Sequence, residues 1–128
     1  MHFPEELHYT KDHEWLRVDN GTAAVGITDH AQHELGDIVY VDFAVSVGQE
    51  IHAGQVVATL EAVKTVADVY APVSGRVLEL NPALAEHPEL INQDPYGAGW
   101  ILRLELSNPE ELAQLLDATS YKALIGQA

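Results

Sequence analysis

Between residues 56 and 70 the chain runs strand-forming residues into one lysine and out again: Leu60-Glu61-Ala62-Val63-Lys64-Thr65-Val66-Ala67-Asp68 lies at the centre of this stretch. Gly48 and Gly54 stand clear of it upstream, and Tyr70-Ala71-Pro72-Val73-Ser74-Gly75 follows downstream. The pattern predicts a strand over 56–61, a tight turn with Lys64 at or beside it, and a strand over 65–70. Residues 76–80 read as a further strand after the Pro72–Gly75 turn. Short strands crowded between residues 47 and 80 each need partners, so they predict two small sheets packed face to face. A lysine in a turn is ordinarily a solvated surface residue. This one sits between two β arms, and an amine held at a hairpin tip suits covalent modification. A modifying enzyme must surround it, and an attached arm must swing free. Glu61 and Asp68 place carboxylates nearby in sequence.

The rest of the chain frames this hairpin. Residues 8–28 predict a second hairpin, because Glu14-Trp15-Leu16-Arg17-Val18-Asp19 alternates and Asn20-Gly21 is a strong two-residue turn signal. His13 and Glu14 at its start are expected to hydrogen-bond there, with a binding role as the alternative. Thr28 predicts an N-cap for a helix over 29–35, ended by Gly36. His30, His33 and Glu34 on it are closely spaced and have no second cluster to complete a metal site, so they are read as a solvated helix face and no metal is expected. Residues 37–43 are strongly strand-forming. Residues 81–99 carry repeated proline and glycine breaks and predict an irregular segment, either functional or hiding short helices. Residues 100–106 read as a strand. Asn108 with Pro109 at the first helical position predicts a helix that packs Leu112, Leu115 and Leu116 back on the body, and 121–125 a last helical stretch ended by Gly126.

Composition narrows the function. At 128 residues one domain over 1–128 is expected. Six basic against twenty acidic residues give a net charge of −14, which argues against nucleic acid or an anionic membrane as partner. The absence of cysteine excludes disulfides, thiolate catalysis and cysteine-ligated zinc. No apolar run has the length of a membrane span. The opening Met1-His2-Phe3-Pro4-Glu5-Glu6 lacks the features of a signal or transit peptide, so a cytoplasmic location is expected.

Several separated motifs then carry a resemblance. The segment Glu61-Ala62-Val63-Lys64-Thr65-Val66-Ala67-Asp68-Val69-Tyr70-Ala71-Pro72-Val73-Ser74-Gly75 closely resembles the lipoyl-attachment segment of the H-protein family of the glycine cleavage system. Tyr9-Thr10-Lys11-Asp12-His13-Glu14-Trp15, the run from Gly26 through Val39, and Asn81-Pro82 through Trp100 resemble that family in the same order. The resemblance implies a mainly β chain: a flattened β-barrel or sandwich of the biotinyl/lipoyl-carrier type (barrel-sandwich hybrid) with a short internal helix and C-terminal helices. Its hairpin core would span about 47–80 and its C-terminal helical segment about 109–125.

The resemblance also implies function. The chain would be a non-catalytic carrier with lipoic acid joined by an amide to Lys64. The arm would take the aminomethyl group of glycine from the pyridoxal-phosphate decarboxylase (P protein) to the aminomethyltransferase (T protein). Dihydrolipoamide dehydrogenase (L protein) would reoxidise it, and a lipoylating enzyme would load it. Glu61, Gly48 and Gly75 would serve recognition and shape of the hairpin. Glu14 and Asp68 would form the anionic end of an arm-docking groove, and the carrier would be monomeric. Two residues depart from the commonest pattern, Ala62 where serine is frequent and Asp12 where a small or neutral residue is common. A biotin carrier would share the fold but wants methionines beside the lysine, and the only methionine here is Met1. A carrier that donates lipoyl groups to other complexes, or works in sulfur metabolism, would keep the arm and change the task.

Overall fold

The computed structural model describes residues 1–126; Gln127 and Ala128, the end of the expected 1–128 domain, lie outside the described residues. In chain order the strands are β1 (His8–Tyr9), β2 (Glu14–Asp19), β3 (Thr22–Ile27), β4 (Ile38–Phe43), β5 (Glu50–Ile51), β6 (Val56–Ala62), β7 (Val66–Tyr70), β8 (Gly75–Leu80) and β9 (Leu102–Leu106). Among the described residues three α-helices accompany them: α1 (Asp29–Leu35), α2 (Leu90–Gln93) and α3 (Ala118–Leu124). One antiparallel sheet has the order β1-β2-β3-β9-β8-β5 and the other β4-β6-β7. Among the described residues no helix is long and apolar enough to cross a membrane.

Local chemistry accounts for the frame. Asn20 (φ 49°) and Gly21 (φ 83°) both take the left-handed region, and Asp19 pairs with Thr22 across them, as a two-residue hairpin loop requires. Thr28 caps α1 by accepting from the Ala31 amide at 3.1 Å, and Gly36 (φ 76°) ends the helix by donating to Gln32 O. The core is the seam between the sheets. Leu16, Val25 and Leu104 of the larger sheet meet Val41, Leu60 and Val69 of the smaller, all in one buried cluster. Alternation does the sorting: Leu60 and Val69 are buried while Glu61 and Asp68, their neighbours in sequence, face water.

The segment 81–99 is not structureless. It holds a 3-10 turn, Pro82–Ala85, capped by the Asn81 side chain, and the single-turn α2, both too short to show a helical period. The strand expected from residue 100 begins at Leu102. The C-terminal part differs more. Pro109–Gln114 is a 3-10 helix, and Asn108 makes no side-chain cap bond. The chain then extends so that Leu116 and Tyr9 exchange two backbone hydrogen bonds of 2.8 Å. Pairing with the free edge of β1 wins over helical continuation. Leu112 and Leu115 pack on the main core, but Leu116 joins a second cluster with Phe3, Tyr9, Trp15 and Tyr121. The three leucines therefore do not share one helical face. The last helix starts at Ala118, earlier than expected, because Asp117 caps it by accepting from the Ser120 amide at 2.7 Å.

Gly75 is sterically required, as is Gly99, where a Cβ would meet the Leu90 backbone carbonyl oxygen. A Cβ on Gly75 would collide with the Glu105 backbone carbonyl oxygen where β8 meets β9, and backbone cannot swing aside as a side chain can. Gly75→Ala is expected to cost about 3 kcal/mol of stability. Gly48 has open space around it and needs glycine only for its φ of 90°, so Gly48→Ala is expected to cost about 1 kcal/mol. Urea midpoints of the two variants check the ranking.

Candidate functional site

β6 and β7 form the expected hairpin, with Glu61 opposite Val66 and the Ala62 amide donating to Thr65 O at 2.8 Å to close it. Val63 and Lys64 remain as the tip, both exposed. The Val63 amide donates to Asp37 O at 3.2 Å, which ties the tip to the entry of β4. Among the described residues no carboxylate lies within ion-pair distance of the Lys64 amine. The carboxylates expected beside it point elsewhere. Glu61 stands on the solvent face of the small sheet, and the Asp68 carboxylate accepts from Thr59 Oγ1 at 3.0 Å on that same face.

Below the tip, β7 is an edge strand. Its free side and the facing ends of β2 and α1 enclose a groove of about 340 Å³. Leu60 and Val69 give it an apolar floor, His13, Glu14, His30 and Glu34 a polar wall, and Asp68 lies at its rim. Ala67, also on the groove, is three residues from Lys64, about 10 Å along a strand. A lysine side chain lengthened by a medium-chain acyl group covers that distance.

Glu14 is the central polar group. It is only 2 % exposed, and both its oxygens are engaged: Thr10 Oγ1 donates to Oε1 at 2.6 Å, and the Tyr70 amide donates to Oε2 at 3.1 Å. The carboxyl thus caps a backbone donor on the free edge of β7 and joins the two sheets. Burial pushes its pKa up to about 7; the two hydrogen bonds offset part of this, and Asp12 adds to the rise. Near neutral pH the group is divided between acid and carboxylate. A cation arriving in the groove draws it to the carboxylate.

His13 takes a left-handed φ of 70° at the start of β2, and its ring is fixed from behind. Its Nδ1 is 2.8 Å from Tyr121 Oη, which is 2.8 Å from Thr28 Oγ1. A donor pattern that satisfies the chain runs from Ala31 N–H to Thr28, Thr28 to Tyr121 and Tyr121 to an unprotonated Nδ1. Burial, followed by the neighbouring His30, holds the His13 pKa below its ordinary value, in keeping with that acceptor role. His30 was expected on a solvated helix face, but its ring centroid lies 4.9 Å from that of His13. The β2–β3 register explains this. Glu14 pairs with Ile27, so the first turn of α1 falls beside His13. The Asn20-Gly21 loop encodes that register, and counting outward from it was the signal that could have found His30. His33 and Glu34 are exposed, and among the described residues no group of three or more histidine, aspartate or glutamate side chains converges for a metal.

Gly48 and Gly75 lie away from the lysine. Val56 and Tyr70 pair at the base of the hairpin, and Gly75 opens β8 beyond that base. Gly48 donates its amide to Val77 O at 2.7 Å. Both shape the larger sheet rather than the tip.

Comparison with known proteins places this geometry. A family model described as glycine cleavage H-protein matches residues 7–128. Among curated relatives, the glycine cleavage system H protein of Bacteroides fragilis is 50% identical over 125 residues, covering 98% of each chain. That of Pelodictyon phaeoclathratiforme is 53% identical over 129 residues, 99% of this chain and 100% of the relative. The crystal structure of a glycine cleavage system H protein from Mycobacterium marinum superposes with a TM-score of 0.88 at 37% identity, covering 97% of this chain and 99% of that one. The mainly β, two-sheet carrier fold is common to both.

Proposed function

The chain belongs to the glycine cleavage H-protein family, and from that premise we propose that Lys64 carries lipoic acid through an amide and that the groove beneath it shelters the end of the arm. One observation carries the reading: the tip lysine is exposed and, among the described residues, free of ion pairs, and a groove with an apolar floor and a buried carboxyl begins about 10 Å away. When bound to Lys64, the lipoyl group would supply a disulfide able to carry the aminomethyl unit of glycine between the P and T proteins, with the L protein as its reoxidant.

The chain's own residues hold and protect. Leu60 and Val69 exclude water from one side of the groove. Glu14 offers a carboxylate to a cationic amine, with its orientation fixed by Thr10 and Tyr70. Asp68 adds negative charge at the rim while Thr59 holds its carboxylate outward, so its share is smaller than that of Glu14. His13, fixed by Tyr121, lines the wall beside Glu14. These roles are those of a carrier. Transfer depends on the partner enzymes, and the tether raises the local concentration of cargo at each of them.

The test is the lifetime of the aminomethyl-loaded carrier, followed as formaldehyde release in water. Glu14→Gln is expected to shorten it about tenfold, the scale of one charge-assisted hydrogen bond, and Asp68→Asn to shorten it less. A double variant with the wild-type lifetime would sink the groove assignment.

A further inference from the structure

The three-stranded sheet buries one face and leaves the other bare. Its register sets Tyr40, Glu61 and Val66 in one cross-strand row and Asp42, Thr59 and Asp68 in the next, with Val63 and Lys64 at the end. Tyr40 is 52% exposed, Val66 60% and Val63 71%. Single exposed apolar residues need no explanation, but neighbouring ones beside a modifiable amine mark a surface that something covers. Glu61, Asp42 and Asp68 flank them, and Lys64 is the only cation of these rows and the tip. The complement of such a face is an apolar ledge edged with lysine or arginine.

We propose that this outer face is the docking surface of the enzyme that acylates Lys64, with Tyr40 and Val66 as the apolar anchors. The proposal rests on Lys64 being the attachment site. Geometry selects that partner among those that meet the carrier. In the acylation step the neutral Lys64 amine attacks the carbonyl of an acyl adenylate. The amide C–N bond forms, the bond to AMP breaks, AMP leaves with that electron pair, and the amine releases one proton to solvent. The acyl carbonyl must come to bonding distance of Nζ, so the enzyme's surface covers the tip and its nearest row. Enzymes that act on the far end of the arm need no contact with this row for their chemistry. The face is also preformed, because the Val63–Asp37 backbone bond fixes the tip on β4, the strand that bears Tyr40.

The test uses the full unacylated chain with a purified lipoate–protein ligase, lipoate and ATP, read by intact mass. Tyr40→Ser combined with Val66→Ser is expected to raise KM about tenfold or more, the scale of two interface anchors. Glu61→Lys is expected to raise it comparably, and added salt to raise the wild-type KM. Val47→Ser removes an equally exposed apolar residue (63%) outside this face and is expected to change nothing. All these positions are exposed, and Glu61→Lys keeps the test open should the double variant fold poorly. Wild-type KM in both the double variant and Glu61→Lys would overturn the proposal, as would a loss confined to the decarboxylase reaction of acylated protein. Wild-type chain that accepts no acyl group would instead overturn the assignment of Lys64, and this shows before any variant is compared.

Discussion

Lys64→Arg is expected to abolish carrier function while leaving the fold intact. Arginine keeps the positive charge and the length of the side chain, but its guanidinium stays protonated and forms no amide. Position 64 is an exposed tip residue, so the substitution should move stability by no more than about 0.5 kcal/mol. No other lysine replaces it. Lys11 lies between β1 and β2 and Lys122 lies in α3, both away from the β6–β7 tip. The variant should therefore gain no acyl mass with a lipoylating enzyme. In a reconstituted system it should reduce glycine-dependent carbon dioxide release to the level seen without carrier. Acyl addition that persists on Lys11 or Lys122 would contradict the account, because it would mean that hairpin display does not select the amine.

The second large effect lies in pH. Folding moves Glu14 from an ordinary 4.5 to about 7, because the folded chain buries a carboxyl that the unfolded chain leaves in water. The folded state therefore holds this proton more tightly. Its contribution to stability is full below about pH 4.5 and lost as pH rises through about 7. The shift corresponds to about 3 kcal/mol. Glu14→Gln keeps the shape and an acceptor for the Tyr70 amide but does not titrate. Between pH 5 and pH 8 the wild type should lose between about 2 and 3 kcal/mol relative to this variant, measured by urea unfolding. The comparison with Gln isolates Glu14 from Asp29, whose burial pushes its carboxyl up but whose hydrogen bonds from the His2 amide and Gln32, together with the N-terminal ammonium and His2, hold it below its ordinary value. Equal pH slopes in the two proteins would show that Glu14 is solvated. The wild type keeps this destabilising carboxyl at neutral pH, which fits a group held ready for a cation rather than one placed for stability.

Much of the frame was legible because its signals are local. Asn20-Gly21, the Thr28 cap, Gly36 and the apolar arms around Lys64 each fix backbone within a few residues, and each appears where the sequence places it. What escaped depends on distance or on competition. The Asp68 side chain could not be assigned to the groove or to the outer face without the β6–β7 register, and that register pairs it with Thr59. His30 looked like a surface residue until the β2–β3 pairing carried α1 to His13. The segment after Asn108 has helix-start signals, yet an unpaired edge of β1 draws Leu116 into a bridge and shortens the helix to a 3-10 turn. Local propensity gave way where another strand offered backbone partners. The burial of Glu14 against β7 had no sequence signal of its own beyond its place in the Tyr9–Trp15 motif.

The most direct test of the central claim is the intact mass of the chain purified from its native host, followed by peptide mapping across residue 64. One lipoyl group per chain, located on Lys64, is the predicted result. A bare Lys64 in a host that lipoylates its other carrier proteins would contradict it.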